Sequence, residues 1–290
     1  MRDLSGDILE LIRFASTDLP ADVETALEKA RGDEDQGSAA RAALDSILEN
    51  TALTRRESTP ICQDTGTPLF FVSYPLAYRA QDLRQQIRRA IADATRLSYL
   101  RPNAVDSMNG KNTGNNLGDE YFPTIHFEEV DGDTLTIDLM LKGGGCENVG
   151  AQYSLPNDAL QAGRDLEGVR RSVLDAVFQA QGLGCAPGFL GVAIGGDRSS
   201  GYLLSKKALL RKPGQPNEDV ELGGLESRIT AEANQLGIGP MGFGGRSTIL
   251  GTYILKTHRL PASFFVTISY ICWAFRRRRL LANATTVVYE

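Results

Sequence analysis

The sequence predicts an α+β fold: a helical N-terminal segment followed by a mixed-sheet core in two lobes. Three observations carry that expectation. Helical periodicity is the only regular pattern in residues 1–55. From residue 56 onward, amphipathic helices are interleaved with short apolar strands. The interleaving lacks the strict strand–helix rhythm of a doubly wound parallel sheet. We read 1–290 as a single domain, with the helical segment at 1–55 and the core at 56–290. A chain of 290 residues is long enough to bury a full core.

In the N-terminal segment, Ile8, Leu11, Ile12 and Ala15 share one helical face, and Pro20 with Asp22 marks a break and a restart. Val23, Ala26, Leu27 and Ala30 form a second stripe, and Ala40, Ala43, Leu44 and Ile47 a third. Leu69 to Val72 reads as a buried strand. Gln81 to Leu100 is predicted as an amphipathic helix, with Leu83, Ile87, Ile91, Ala94 and Leu97 on one side, stopping before Pro102. From Asn103 to Glu120 runs a long Asn- and Gly-rich loop without apolar anchors, which makes it functional or disordered. Phe122 to Val130 and Thr134 to Leu141 are expected to form a hairpin around Asp131-Gly132-Asp133. Helices are predicted over Gly163 to Gln181, Ser199 to Leu210 and Val220 to Leu236. Strands are predicted over Phe189 to Ile194, Thr248 to Leu255 and Phe264 to Ile271, the last two closing the fold. Arg276 to Arg279 reads as a solvated basic turn.

Composition excludes several classes of function. A formal net charge of -5 argues against nucleic-acid binding, which needs a basic footprint. The most apolar window, Ala262 to Phe275, is interrupted by Ser263, Thr267 and Ser269 and is shorter than the ~20 residues of a membrane-spanning helix. Met1 to Glu10 carries Arg2, Asp3, Asp7 and Glu10 in place of a signal peptide's apolar stretch. The expectation is a cytoplasmic protein without membrane contact, whose four cysteines are not paired as disulfides.

Three of those cysteines share a context. Cys62, Cys146 and Cys185 each lie in a Gly- or Pro-containing loop beside a strand or helix end, whereas Cys272 follows an apolar strand and reads as a core thiol. Cys146 follows Lys142-Gly143-Gly144-Gly145, directly after the alternating Leu135, Ile137, Leu139 and Leu141. Bare glycines there let another group approach the backbone closely, and a Cβ at Gly144 or Gly145 is expected to collide with it. No CxxC spacing is present, so a site made from these thiols would be assembled by the fold. Three thiolates would leave one corner of a cubane cluster open, and an open iron is a Lewis acid, not an electron carrier. On residues alone the alternatives are three unlinked thiols, or a Cys₃His zinc site using His126 or His258, for which no spacing speaks. Asp64-Thr65-Gly66 matches the aspartic-protease triplet, but no second triplet supplies the partner aspartate. Gly237 to Ser247 follows a helix and lacks the GxxxxGK[ST] pattern, so it fails as a P-loop.

Together, Cys62-Gln63-Asp64-Thr65-Gly66, Asn112-Thr113-Gly114, Lys142-Gly143-Gly144-Gly145-Cys146, Gly184-Cys185-Ala186-Pro187 and Gly237-Ile238-Gly239-Pro240-Met241-Gly242 resemble the signature of one family. Pro261-Ala262-Ser263 and Cys272-Trp273-Ala274 fit the same pattern. The chain resembles the α subunit of the iron–sulfur (class I) fumarate hydratases and L(+)-tartrate dehydratases, in order from about Ile8 to the C-terminus.

The resemblance implies a cluster-binding domain in which Cys62, Cys146 and Cys185 hold a [4Fe-4S] cluster whose open iron acts as Lewis acid. It places Gln63, Asp64, Arg101 and the loop at Gly110 at a small dicarboxylate substrate, with Arg259 gripping a carboxylate; Asp64, two residues from Cys62, is the candidate catalytic group, to orient water or relay a proton, with an Asx-turn cap as the alternative. It places the catalytic base, a threonine, on a separate β subunit, in an expected α2β2 assembly. A site histidine known in one-chain members has no match here, where Val173 stands near the expected place. The implied reaction is reversible dehydration of (S)-malate to fumarate. Dehydration of L(+)-tartrate to oxaloacetate, or a non-catalytic iron–sulfur binding role, are the alternatives.

Overall fold

The computed structural model describes residues 3–290, so Met1 and Arg2 of the N-terminal segment lie outside the described residues. It is α+β, with helices at the N-terminus and two mixed sheets. The chain divides into two compact units. The first comprises 1–20, 49–144 and 274–290, and the second 21–48 and 145–273.

In the first unit, α1 (Ser5–Thr17) buries Ile8, Leu11, Ile12 and Ala15, the stripe expected from periodicity. It lies against α4 (Ala80–Arg96) and the sheet strands β3 (Leu135–Lys142) and β8 (Arg276–Ala282). One core cluster joins these faces through Leu83, Ile87, Ile91, Phe70, Val72 and Ile137. The α4 helix ends at Arg96, short of the expected Leu100. Ser98 turns into the left-handed region at φ 65°, and the amides of Tyr99 and Leu100 fold back onto the Ala94 carbonyl.

The sheet of this unit runs β2-β1-β3-β8-β9, with β1 at Thr67–Tyr74, β2 at Thr124–Glu129 and β9 at Val287–Tyr289. The expected hairpin between β2 and β3 is therefore wrong. β1 lies between them, parallel to β2 and antiparallel to β3. The reason is burial: Pro68 to Val72 is buried throughout, so β1 takes the interior place, while the half-exposed β2 takes the edge.

The basic turn expected at Arg276 to Arg279 is also wrong. Those residues open β8, which pairs antiparallel with β3, and Arg276 is 1% exposed. Each charge has a local partner. Arg276 donates to the Asp64 carbonyl, Arg278 to Asp18, and Arg279 to the Asp138 carboxylate across the ladder, while the Arg277 guanidinium covers the Phe275 ring.

In the second unit, α2 (Ala21–Asp33) buries Val23, Leu27 and Ala30, and α3 begins at Ala39 and runs to Glu57. The sheet runs β4-β7-β5-β6, with β4 at Ala151–Ser154, β5 at Gly188–Ile194, β6 at Ile249–Lys256 and β7 at Phe265–Ile271. β5 is buried along its whole length and sits inside the sheet, parallel to β6 and antiparallel to β7. β4 and β9 were not expected from the sequence, being four and three residues long. Three helices cover this sheet: α6 (Leu166–Ala180), α7 (Arg198–Ala208) and α8 (Val220–Gln235). Each starts at an aspartate whose carboxylate accepts backbone N–H bonds: Asp165, Asp197 and Asp219. No helix among the described residues is long and apolar enough to cross a membrane.

Candidate functional site

The first unit brings three of the expected residues to one place. A cavity of about 350 Å³ is lined by Pro60, Cys62, Gln63, Thr65, Ser98 and Arg101, among others. Cys62 and Gln63 come from the loop before β1, and Arg101 from the segment after α4. Thr65 ties the two together, because its hydroxyl accepts the Arg101 N–H at 3.0 Å. Cys62 is half-buried and Arg101 exposed, an arrangement that leaves a thiol and a cation available at the cavity wall.

Asp64 has a structural task in this loop. One carboxylate oxygen accepts the Gly66 N–H at 2.9 Å and the other accepts the Gly144 N–H at 2.9 Å. The first bond is an Asx-turn, and the second fastens the loop to the end of β3. Its backbone carbonyl accepts from the buried Arg276 at 2.7 Å. Within the protein itself, the steric demand for glycine is at Gly143. A Cβ on Gly143 would stand 2.8 Å from Asp64 Oδ2, whereas at Gly144 and Gly145 the nearest atoms are 4.0 and 3.5 Å away. A short helix, α5 (Gly144–Asn148), begins there in place of an open turn.

The long loop from Asn103 is ordered by polar contacts. Asn116 is 1% exposed at φ 61°. Its amide donates to the Arg101 carbonyl at 2.7 Å and to Thr95 Oγ1 at 3.0 Å, and its Oδ1 accepts the Asn103 N–H at 2.6 Å. Gly110 sits at an exposed turn of this loop, φ 71°, and does not line the cavity.

In the second unit, Cys146 and Cys185 have a common neighbourhood. Cys146 is 3% exposed, and its Sγ lies 3.9 Å from the Gly184 carbonyl oxygen. The Cys272 backbone N–H donates to the same sulfur at 3.3 Å. Cys185 follows a single helical turn, Gln181–Gly184, at φ 55°. Cys272 is buried as expected, and its backbone adjoins Cys146. Burial first, then the thiols of Cys272, Cys146 and Cys185, hold the Tyr270 hydroxyl well above the usual tyrosine range. An aromatic in an alternating strand reads as core, so sequence reasoning passed over Tyr270.

Arg259, in the same unit, uses Nη1 to bind the carbonyls of Leu260, Pro261 and Ser263 at 3.0–3.1 Å, and its guanidinium covers Phe264. Arg259 is exposed, and among the described residues its Nε and Nη2 have no protein hydrogen-bond partner.

Among the described residues, no three His, Cys, Asp or Glu side chains gather closely enough to hold a single metal ion. A cubane cluster is wider than one ion and spreads its ligands, so the donor chemistry is the relevant test. Around Cys146 and Cys185 the residues fit such a group. They offer thiols that are not joined in disulfides, a backbone N–H already directed at sulfur, and a buried hydroxyl with no hydrogen-bond partner among the described residues.

The family model for fumarate hydratase matches residues 6–280. The chain belongs to the fumarate hydratase family. It is 48% identical over 96% of its length to a Geobacillus stearothermophilus protein named "Putative fumarate hydratase class I". The match covers 54% of that relative, so the chain spans about half its length. It is 35% identical to a Methanocaldococcus jannaschii protein named "Putative L(+)-tartrate dehydratase subunit alpha", covering 94% of this chain and 95% of that one. With the L(+)-tartrate dehydratase subunit alpha of Escherichia coli O157:H7 it shares 32% identity, over 97% of this chain and 91% of that one. All three names denote hydro-lyases, enzymes that add or remove water across a carbon–carbon double bond.

Proposed function

We propose that the chain is the α subunit of an iron–sulfur hydro-lyase that, with a β subunit, reversibly dehydrates (S)-malate to fumarate. The observation that carries this reading is the family match over residues 6–280, a span that includes the Cys62–Gln63–Arg101 cavity and the neighbouring Cys146 and Cys185. Cys62, Cys146 and Cys185 would hold a [4Fe-4S] cluster. When bound, that cluster supplies a Lewis-acidic iron corner for the hydroxyl that leaves.

The chain's own residues account for recognition. Arg101 and Arg259 are exposed guanidinium groups suited to a dicarboxylate, because the planar fork donates to both oxygens of a carboxylate at once. Gln63, at the wall of the cavity that Arg101 lines, orients the substrate through its amide. Asp64 holds the loop that presents Cys62 and Gln63, and with both oxygens bound to backbone N–H groups it acts by positioning that loop. Gly110 contributes backbone in a loop anchored to Arg101 through Asn116. The proton beside the carboxylate is taken by a base on the partner subunit.

L(+)-tartrate is the second reading. The higher identity, 48%, is to a relative named for fumarate hydratase, whereas the two named as tartrate dehydratase α subunits match this chain nearly end to end. An extra hydroxyl is a small recognition difference. Anaerobic reconstitution with iron and sulfide, addition of the partner subunit, and parallel assay on malate and tartrate decide between them. Faster turnover of malate is expected. Turnover of neither substrate would sink the hydro-lyase reading.

A further inference from the structure

Among the described residues of the second unit, two buried side-chain polar atoms lack a hydrogen-bond partner, Arg211 Nε and Tyr270 Oη, and the second lies among the thiols. Tyr270, on β7, is 2% exposed, and its Oη has no hydrogen-bond partner among the described residues. Buried hydroxyls are almost always paired, because water is lost without replacement. The ring lies against the stretch that carries Cys185. A Cβ on Gly184 would come within 2.6 Å of Tyr270 Cε1, and one on Gly188 within 2.3 Å of Tyr270 Oη. Glycine at both positions is what admits the ring. Two residues further on, just past the end of β7, the Cys272 N–H donates to Cys146 Sγ, and that sulfur also lies beside the Gly184 carbonyl. The unpaired hydroxyl and the directed N–H thus belong to one thiol neighbourhood.

We propose that Tyr270 is a positioning residue whose hydroxyl donates a hydrogen bond to a sulfur of the cluster held by Cys146 and Cys185. This rests on the cluster reading above. A hydrogen bond to sulfur draws electron density away from the attached iron, which raises the reduction potential and makes an open iron a stronger Lewis acid. The Cys272 N–H serves Cys146 in the same sense, so β7 and the residue after it present two donors to the sulfurs.

The test compares the full chain with Tyr270→Phe after anaerobic reconstitution with iron and sulfide. The readouts are iron and sulfide content, the midpoint potential by optical titration, and resonance Raman iron–sulfur bands in water and in D2O. Both chains should take up equal iron and sulfide. The variant's potential should fall, equivalent to a roughly tenfold change in the oxidised-to-reduced ratio at a fixed potential. A D2O-sensitive iron–sulfur band of the unsubstituted chain should lose part of its shift. Equal potentials and equal D2O shifts would overturn the proposal while leaving the cluster reading intact. An unsubstituted chain that takes up no cluster would overturn both. If Tyr270→Phe fails to fold, the unsubstituted chain with ring-labelled tyrosine supplies the answer by electron–nuclear double resonance. Coupling of the reduced cluster to an exchangeable hydroxyl deuteron and to the ring labels is expected, and its absence refutes the hydrogen bond.

Discussion

Asn116→Ala is the sharpest probe of how the cavity is built. Asn116 is 1% exposed and makes hydrogen bonds to the Arg101 carbonyl, Thr95 Oγ1 and the Asn103 N–H. At about 1 kcal/mol each, their loss costs about 3 kcal/mol and leaves a backbone carbonyl and an N–H without partners. Alanine also tolerates the φ of 61° less well than asparagine, adding about 1 kcal/mol. The damage should be local, at Arg101 to Asn103, so the Asn103 amide is the reporter. Its opening free energy should fall by about 4 kcal/mol, a rise in hydrogen-exchange rate on the order of a thousandfold. Amides of β3 should exchange as before. Because Arg101 is held less firmly, KM for the dicarboxylate should rise more than kcat falls. An Asn103 exchange rate within about threefold of the unsubstituted chain would refute the reasoning.

The remaining expectations address the substrate groups, the glycine contact and pH. Arg101→Ala and Arg259→Ala should each lower kcat/KM for malate roughly a hundredfold while the visible absorbance of the reconstituted cluster is retained; unchanged turnover would sink the carboxylate-clamp assignment. Gly143→Ala places a methyl 2.8 Å from Asp64 Oδ2 and should break the bond to the Gly144 N–H, lowering stability by about 1–2 kcal/mol in thermal unfolding, whereas Gly144→Ala meets only a 4.0 Å contact and should do less through that route. Glu167 is held at about 2, first by its hydrogen bond to Arg170 and also by Arg171 and Arg228. With its folded value depressed, its contribution is present above about 4.5 and is lost as pH falls towards 2, so Glu167→Gln should flatten the pH dependence of unfolding in that window. Since the carboxylate is largely exposed, the effect should stay under ~1 kcal/mol. A slope unchanged by the substitution would contradict it.

Periodicity alone located most of the regular elements. The stripes Ile8–Ala15 and Leu83–Ala94 are buried helix faces, and the alternation through Leu135, Ile137, Leu139 and Leu141 is a sheet strand, because burial of one face leaves its period in the residues themselves. The loops that carry Cys146 and Cys185 stood out for another reason: glycine beside cysteine is a local pattern that needs no knowledge of the tertiary structure. The order of strands was not legible, since hydrogen-bonded neighbours are chosen by whole surfaces. β1 separates β2 from β3 although those two are adjacent in sequence, because only the interior place buries Leu69 to Val72 on both faces. Nor could a run of four arginines announce a strand. Asp18, the Asp64 carbonyl and Asp138 come from distant parts of the chain and supply the partners that make burial of those arginines tolerable. Tyr270 shows the same division. Its residue type and place in the strand say core, and only the fold reveals that its hydroxyl lies beside the glycine-lined loop of Cys185 with no hydrogen-bond partner.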